Sequence, residues 1–324
     1  MESNSWNRFD ENTQVYYFSK ENLSFKNIKN LIYSTEFDSA YVNGIYSPYF
    51  SIMPVYLLKK LNKPTVVAAR GMLNSQAFSV KPLKKKIFIE AAKVIRLHTE
   101  TFFHATNEEE KEYIKRILPH SKGIVVAPNL PRKAQKGAIP VREKETFTKF
   151  VSAARVAREK GTLTALKALS KSKLSGKIVY DIYGPVYDKH YWEECRELIH
   201  EMPENIQVNY KGSIESNKVP GILKDYHFFL MPSVGENFGH GILEAFTAGC
   251  PVIISNNTPW TELKKKKIGW NCALDSGDLV SAIERAATMG QKEYKEWSQA
   301  SFEFATAYCN NSEALEASRR LFKI

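Results

Sequence analysis

Phe228–Ser255 reads FFLMPSVGENFGHGILEAFTAGCPVIIS. Phe228-Phe229-Leu230-Met231 is too short for a helix and is closed by Pro232, so it predicts a buried parallel strand. Ser233-Val234-Gly235 leads into a loop. From Gly239, the apolar residues Ile242, Leu243, Ala245, Phe246 and Ala248 recur at helical spacing, and Gly249 is a C-terminal stop. Pro251-Val252-Ile253-Ile254 predicts the next buried strand. The stretch is therefore a strand–loop–helix–strand unit. Its loop lies at the carboxyl end of a strand, where open α/β sheets bind ligands.

That loop carries the candidate chemistry. Glu236 stands just before the helix and Glu244 inside it, eight positions later. Backbone N–H groups from about Asn237 to Gly241 precede the first intrahelical acceptors and form a site for phosphate or sugar hydroxyls. Glycines 235, 239 and 241 let a ligand approach the backbone. Two glutamates alone have a blander explanation: one favours the positive end of the helix dipole, the other is a solvated helix residue.

The punctuation of the whole segment is more specific. G-E-N-F-G-x-G-x-x-E-A-x-x-x-G-x-P-V-I, with seven residues between Glu236 and Glu244, resembles the signature of retaining GT-B glycosyltransferases of family 4. Many bacterial polysaccharide and lipid-glycan enzymes are of this kind. The resemblance implies an α/β fold of two Rossmann-like domains facing a cleft. It implies that Glu236 contacts the donor sugar and that the backbone of Asn237, Phe238, Gly239, His240 and Gly241 holds sugar hydroxyls. Glu244 would take the ribose hydroxyls of the nucleotide.

A length of 324 residues accommodates two domains of ordinary size, and 43% apolar with 25% charged residues is an ordinary globular composition. No apolar run approaches the roughly 20 residues of a membrane span. The opening MESNSWNRFDENTQ lacks the apolar core of a signal peptide. Cysteines 195, 250, 272 and 309 are widely spaced with no CxxC, as expected of reduced packing residues. A cytoplasmic address is expected. The net charge of +11 calls for an anionic partner or for none, nucleic acid being one candidate. No nucleic-acid motif is recognisable, which favours an anionic membrane surface or a diphosphate-bearing substrate.

In the first half, strands are expected at Val15–Phe18, Ala40–Asn43, Thr65–Ala69, Thr101–Thr106 and Ile124–Asn129. Helices are expected at Leu23–Tyr33, Ile52–Leu61 and from Thr106, paired with Glu109 in a capping box, to Leu118. Arg70 and Gly71 follow a strand, and relatives carry a similar R-G-M-L there, so both are candidate sugar or acceptor contacts. His104, near its strand end, is a third. Lys81–Arg96 holds six bases against Glu90, with Ile87, Phe88, Ala91, Val94 and Ile95 assigned to one helical side. It reads either as a membrane-seeking helix or as a core helix with a solvated lysine end. The first domain is expected over 1–130 and a linker over 131–147.

The donor domain is expected over 148–305, followed by a last helix, within 306–324, that packs back on the first domain. By resemblance to the family's G-R-x-x-x-x-K-G element, Arg155 and Lys160 grip the donor diphosphate, although Ala154 replaces its glycine. Two cations beside a leaving diphosphate offset charge that grows as the glycosidic bond breaks. Gly184 turns at the end of a Val179–Gly184 strand, and by resemblance the backbone at Ile214 meets the base. Thr258-Pro259-Trp260 is a sequence that relatives in surface-glycan synthesis carry.

The family's opening strand, glycine loop and helix have no counterpart before Val15, a deficit of at least the roughly 30 residues of a βαβ unit. Two readings stay open: a shortened reading frame, or a short form whose Val15–Phe18 strand pairs directly with Ala40–Asn43. The expected function is transfer of a hexose from a UDP- or GDP-linked sugar to a glycan or lipid-linked acceptor, with retention, in surface polysaccharide or lipopolysaccharide synthesis. No carboxylate is placed as a nucleophile, so double displacement is not expected. There is no Asp-x-Asp, and neither metal nor cofactor is called for, since cations serve instead. The alternative is a catalytically impaired nucleotide-sugar-binding remnant or partner subunit.

Overall fold

The computed structural model describes residues 2–74, 82–130, 142–144, 147–174, 176–275 and 277–323. They form two compact units, Met1–Leu130 with Ser312–Ile324, and Pro131–Asn311.

The first unit opens with a hairpin of β1 (Trp6–Arg8) and β2 (Gln14–Tyr16). Then follow α1 (Phe25–Ser34), β3 (Ala40–Asn43), a π-helical turn at Pro48–Ile52 running into α2 (Met53–Lys60), and β4 (Thr65–Ala68). Next come α3 (Pro82–Val94), β5 (Thr101–Ala105), α4 (Glu108–Ile117) and β6 (Gly123–Val126). Strands β3 to β6 form one parallel sheet in chain order. Their side chains alternate between faces: Val67 and Phe103 pack with Val55, Ile89 and Ile114, whereas Val66 faces the opposite side.

Three expectations change here. The run at 15–18 pairs not with β3 but antiparallel with β1, Trp6 opposite Tyr16. A short turn closes it, with Phe9 N–H donating to Thr13 O at 2.9 Å, and such local closure costs less chain entropy than a distant pairing. The cap of α4 is Asn107, whose Oδ1 accepts from Glu110 N at 2.8 Å, rather than Thr106 with Glu109. The reason is Glu110, whose carboxylate turns inward to accept from Thr106 N and Oγ1 at 2.7 Å and from Gly71 N at 2.6 Å. In α3, Ile89 and Ala92 reach the core, while Leu83, Ile87 and Val94 are 70%, 61% and 83% exposed. Lys81 lies outside the described residues.

The second unit runs β7 (Phe147–Ala153), a 3-10 turn at Arg158–Lys160, α5 (Thr162–Lys171), β8 (Lys177–Tyr183), α6 (Lys189–His200) and β9 (Ile206–Gly212). It continues with α7 (Val219–Leu223), β10 (Phe228–Met231), α8 (His240–Thr247), β11 (Val252–Ser255), β12 (Gly269–Cys272), α9 (Asp278–Thr288) and α10 (Gln291–Cys309). The six parallel strands are ordered β12-β11-β10-β7-β8-β9. The chain thus builds outward from β7 in one direction, returns, and builds outward from β10 in the other. Both faces are covered: Phe228 and Leu230 pack with α5, α6 and α9, Phe229 and Met231 with α7 and α8. The last helix, α11 (Ser312–Arg320), belongs to the first unit, where Ala317 and Leu321 meet Val66, Val125 and Ala127.

Of the expected linker 131–147, only 142–144 and Phe147 are described, and Arg142 and Lys144 are built in. Arg142 is buried and donates to the carbonyls of Lys224 and Gly249, each at 2.7 Å, and of Ala248, and to Tyr294 Oη at 2.8 Å. Carbonyls at the ends of α7 and α8 carry the partial negative charge that makes this burial tolerable. Among the described residues no helix is long and apolar enough to cross a membrane.

His98 is buried edge-on against Phe103, and neither ring nitrogen has a partner among the described residues. Burial, then the nearby Lys59 charge, pushes its pKa down to about 4. The unfolded chain takes up this proton near pH 6.5, so stability is full above that value and falls as pH drops toward 4. Replacing His98 with Phe should remove about 2–3 kcal/mol of the loss between pH 7 and 4.5. Urea unfolding at both pH values, followed on both proteins, checks this; parallel acid losses would contradict it.

Candidate active site

Strand order reverses between β7 and β10, and at such a switch point the loops leaving the two strands diverge and open a crevice. The loop after β7 carries Arg155 and Lys160, and the loop after β10 carries Glu236. They are locked together: Val234 N–H donates to Glu159 O at 2.9 Å. Gly161 lies between them with φ 73°, and a Cβ there would stand 2.0 Å from the carbonyl oxygen of Pro232. Only glycine fits, because both the backbone region and the space exclude a side chain.

This lock brings the Lys160 ammonium to Glu236 Oε1 at 2.6 Å, the side chains being 19% and 10% exposed. Arg155 lies beside them in sequence but faces differently. Its guanidinium is exposed, 3.3 Å from Glu159 Oε1 and 5.0 Å from the centre of the Tyr187 ring. Arg158, with its ion pairs to Glu194 and Asp188, belongs to the packing of α6.

The Glu236 loop is braced from β11. Glu236 N–H donates to Asn257 O, and Asn257 Nδ2 to Val234 O, each at 2.9 Å. The Trp260 indole N–H donates to Phe238 O, with its ring among Phe238, Phe246 and Tyr308. Asn257 and Trp260 therefore position the loop, a role that sequence spacing does not reveal. Beyond them Gly239 begins α8, and the amides of Phe238, Gly239 and Gly241 find no acceptor among the described residues. A Cβ on Gly241 would stand 3.4 Å from Ala153 O, which puts the mouth of α8 beside the end of β7. Asn237 and Glu244 are half-buried and His240 is exposed. Glu244 occupies the second turn of α8. Gly184 ends β8 at φ 138°, its place for a Cβ filled by Ala154 O at 1.9 Å. Ile214 follows β9 and packs on the same apolar cluster as Phe238 and Ile242.

Arg70, Gly71 and His104 lie in the first unit. Gly71 N–H is held by Glu110. His104 is buried, with Nε2 2.7 Å from Ala127 O and Nδ1 at 2.5 Å from Tyr41 Oη. Burial lowers its pKa, opposed by the bond to Ala127. Both ring nitrogens of His104 are thus engaged within the first unit. His104 orients Tyr41, a residue the sequence did not single out. Among the described residues no group of three His, Cys, Asp or Glu side chains gathers to hold a metal ion.

Substituting Gly161 with Ala should force the two loops apart. It should cost about 1–3 kcal/mol of stability and part Lys160 from Glu236. Denaturant unfolding measures the loss; wild-type stability would show that the lock is dispensable.

Comparison with known proteins fits this geometry. No curated protein matches the chain in sequence. HepE of Anabaena, solved with UDP and glucose, superposes at a TM-score of 0.70 with 11% identity, over 92% of this chain and 80% of that one. Sucrose-phosphate synthase of Thermosynechococcus elongatus superposes at 0.70 with 16% identity, over 98% and 86%. WaaG, a glycosyltransferase involved in lipopolysaccharide biosynthesis, superposes at 0.64 with 13% identity, over 92% and 94%. At these identities the likeness is one of fold, the GT-B type of α/β architecture. The model of the family "Glycosyl transferases group 1" matches residues 133–304, more than half of the chain and the whole of the switch-point site. The chain belongs to the group 1 glycosyl transferases.

Proposed function

We propose that this chain is a retaining hexosyltransferase of the family 4 type, which moves a sugar from a UDP- or GDP-linked donor to a glycan or lipid-linked acceptor. The observation that carries this is the Lys160–Glu236 pair set against the open amides of the α8 mouth at a switch point. The amides and the cations of Lys160 and Arg155 offset charge on the diphosphate as the C1–O bond breaks. Glu236 orients both the donor sugar and Lys160, and Glu244 takes the ribose hydroxyls. The acceptor oxygen attacks C1 on the face the diphosphate leaves, and its proton passes to a diphosphate oxygen. Retention follows without a protein nucleophile.

A lipid-linked acceptor is favoured by α3. Leu83, Ile87 and Val94 fall on one helical stripe, Ile95 follows at 61% exposure, and Lys84, Lys86 and Lys93 flank the stripe. An apolar stripe bordered by bases suits an anionic bilayer surface.

Replacing Glu236 with Ala should lower transfer or donor hydrolysis about a hundredfold or more, with UDP affinity held within about threefold. It should also cost up to about 3 kcal/mol, the low end for a buried pair, since both groups keep some solvent. Titration with UDP-, GDP- and ADP-sugars that yields no heat would remove the donor assignment. For the membrane, the protein should sediment with phosphatidylglycerol vesicles and not with phosphatidylcholine vesicles, and Ile87→Glu should weaken that binding. Equal binding to both vesicle types would sink the assignment.

A further inference from the structure

We infer that the first unit holds a phosphate-binding seat built around Arg70, and that, given the transferase reading above, this seat receives a phosphate group carried by the acceptor. Arg70 follows β4 in a left-handed conformation, φ 51°, which a side chain adopts only at a cost. There its guanidinium meets two side chains of the neighbouring strand β3 and one from the chain beyond β6. Nε donates to Asn43 Oδ1 and Nη2 to Tyr41 Oη, each at 3.2 Å, and Nη1 donates to Asn129 Oδ1. Asn43 ends β3, and Asn129 lies three residues beyond β6. The seat is thus at the carboxyl edge of the sheet, the edge at which α/β sheets bind ligands.

All three partners are neutral, and among the described residues no carboxylate pairs with Arg70. Glu110, the buried acid nearby, already accepts from Gly71 and Thr106. An exposed guanidinium held in place by neutral partners, with no carboxylate bonded to it among the described residues, is an anion site in waiting.

The remaining groups say which anion. Three of five guanidinium N–H groups are engaged, which leaves one on each Nη. Each asparagine turns its oxygen to Arg70, so its amide nitrogen is left as a donor beside it, and neither nitrogen has a partner among the described residues. The guanidinium N–H groups and the two amide nitrogens together form a cluster of donors that suits the several oxygens of a tetrahedral phosphate better than the two of a carboxylate. The guanidinium cannot swing freely, because a chain of bonds fixes it. His104 Nε2–H donates to Ala127 O, Nδ1 accepts from the Tyr41 hydroxyl, and the Tyr41 oxygen accepts from Arg70. His104 is neutral in this arrangement, since a proton on both nitrogens would leave Tyr41 no acceptor.

The test follows arginine Nε–H resonances of the full chain, with Arg70 assigned by its loss in Arg70→Gln. Inorganic phosphate should shift the Arg70 signal saturably. UDP should shift the amides of 238–241 and leave Arg70 unmoved. Asn129→Asp, which sets a carboxylate against the guanidinium without removing it, should weaken phosphate binding about tenfold or more. Circular dichroism should stay unchanged. Glucose 6-phosphate and dihexanoyl phosphatidate, the latter below its micelle concentration, separate a soluble phosphosugar from a lipid phosphate: the tighter binder at Arg70 identifies the source. An Arg70 signal indifferent to phosphate overturns the seat. A signal moved by UDP alone assigns Arg70 to the donor and overturns its acceptor role. If nucleotide sugars leave 238–241 unmoved while phosphate moves Arg70, the transferase reading fails and the seat stands.

Discussion

Everything at the switch point depends on two loops packed with no room for a side chain between them. The carbonyl of Pro232 occupies the place where a Cβ on residue 161 would stand. The amide of Val234 takes the carbonyl of Glu159. Lys160 lies between those two contacts in sequence, so its ammonium has little freedom but to meet Glu236. The ion pair is a consequence of backbone packing rather than its cause. A carboxylate and an ammonium this close and this little exposed would not repay their own desolvation unless the chain were already held. The brace from Asn257 and Trp260 works in the same sense, because it fixes the carbonyl and amide groups flanking Glu236.

The excess positive charge of the chain is handled in different ways. Arg142 and Lys144 are buried against the carbonyl ends of helices and serve the packing of the second unit. Burial lowers the pKa of Lys144 to about 8, with Arg285 adding to the effect. Many surface lysines and arginines pair within their own helix turn, as Lys93 does with Glu90 and Arg196 with Glu193, and such pairs contribute little to stability. Arg70 follows neither pattern, being exposed yet fixed by neutral side chains. A net charge read from composition cannot separate these cases, since the difference lies in what each cation faces.

The first unit shows how a buried acid can organise a surface. Glu110 accepts from Gly71 and Thr106, and so ties the chain leaving β4 to the chain leaving β5. Next to it, Tyr41 and His104 form an oriented pair whose exposed end is Arg70. Neither His104 nor Glu110 touches solvent appreciably. Both hold neighbouring groups in place through their hydrogen bonds.

The sequence by itself determined the local grammar. Continuous apolar runs such as 228–231 and 252–254 had to be strands buried on both faces, and the glycines and spacing of 235–249 had to be a loop opening a helix. The β12 strand Gly-Trp-Asn-Cys was not legible, because its pairing with β11, and not its composition, makes it a strand. The cap at Asn107, the hairpin partner of β2 and the outward turn of Ile87 likewise depended on what lay across the fold. Only the tertiary structure decided which charged groups meet. Lys160 and Glu236 are 76 positions apart, and Arg70 and Asn129 are 59 apart. Residue types specify what a side chain can bond, but strand order and loop packing specify what is within reach, and those are properties of the folded chain alone.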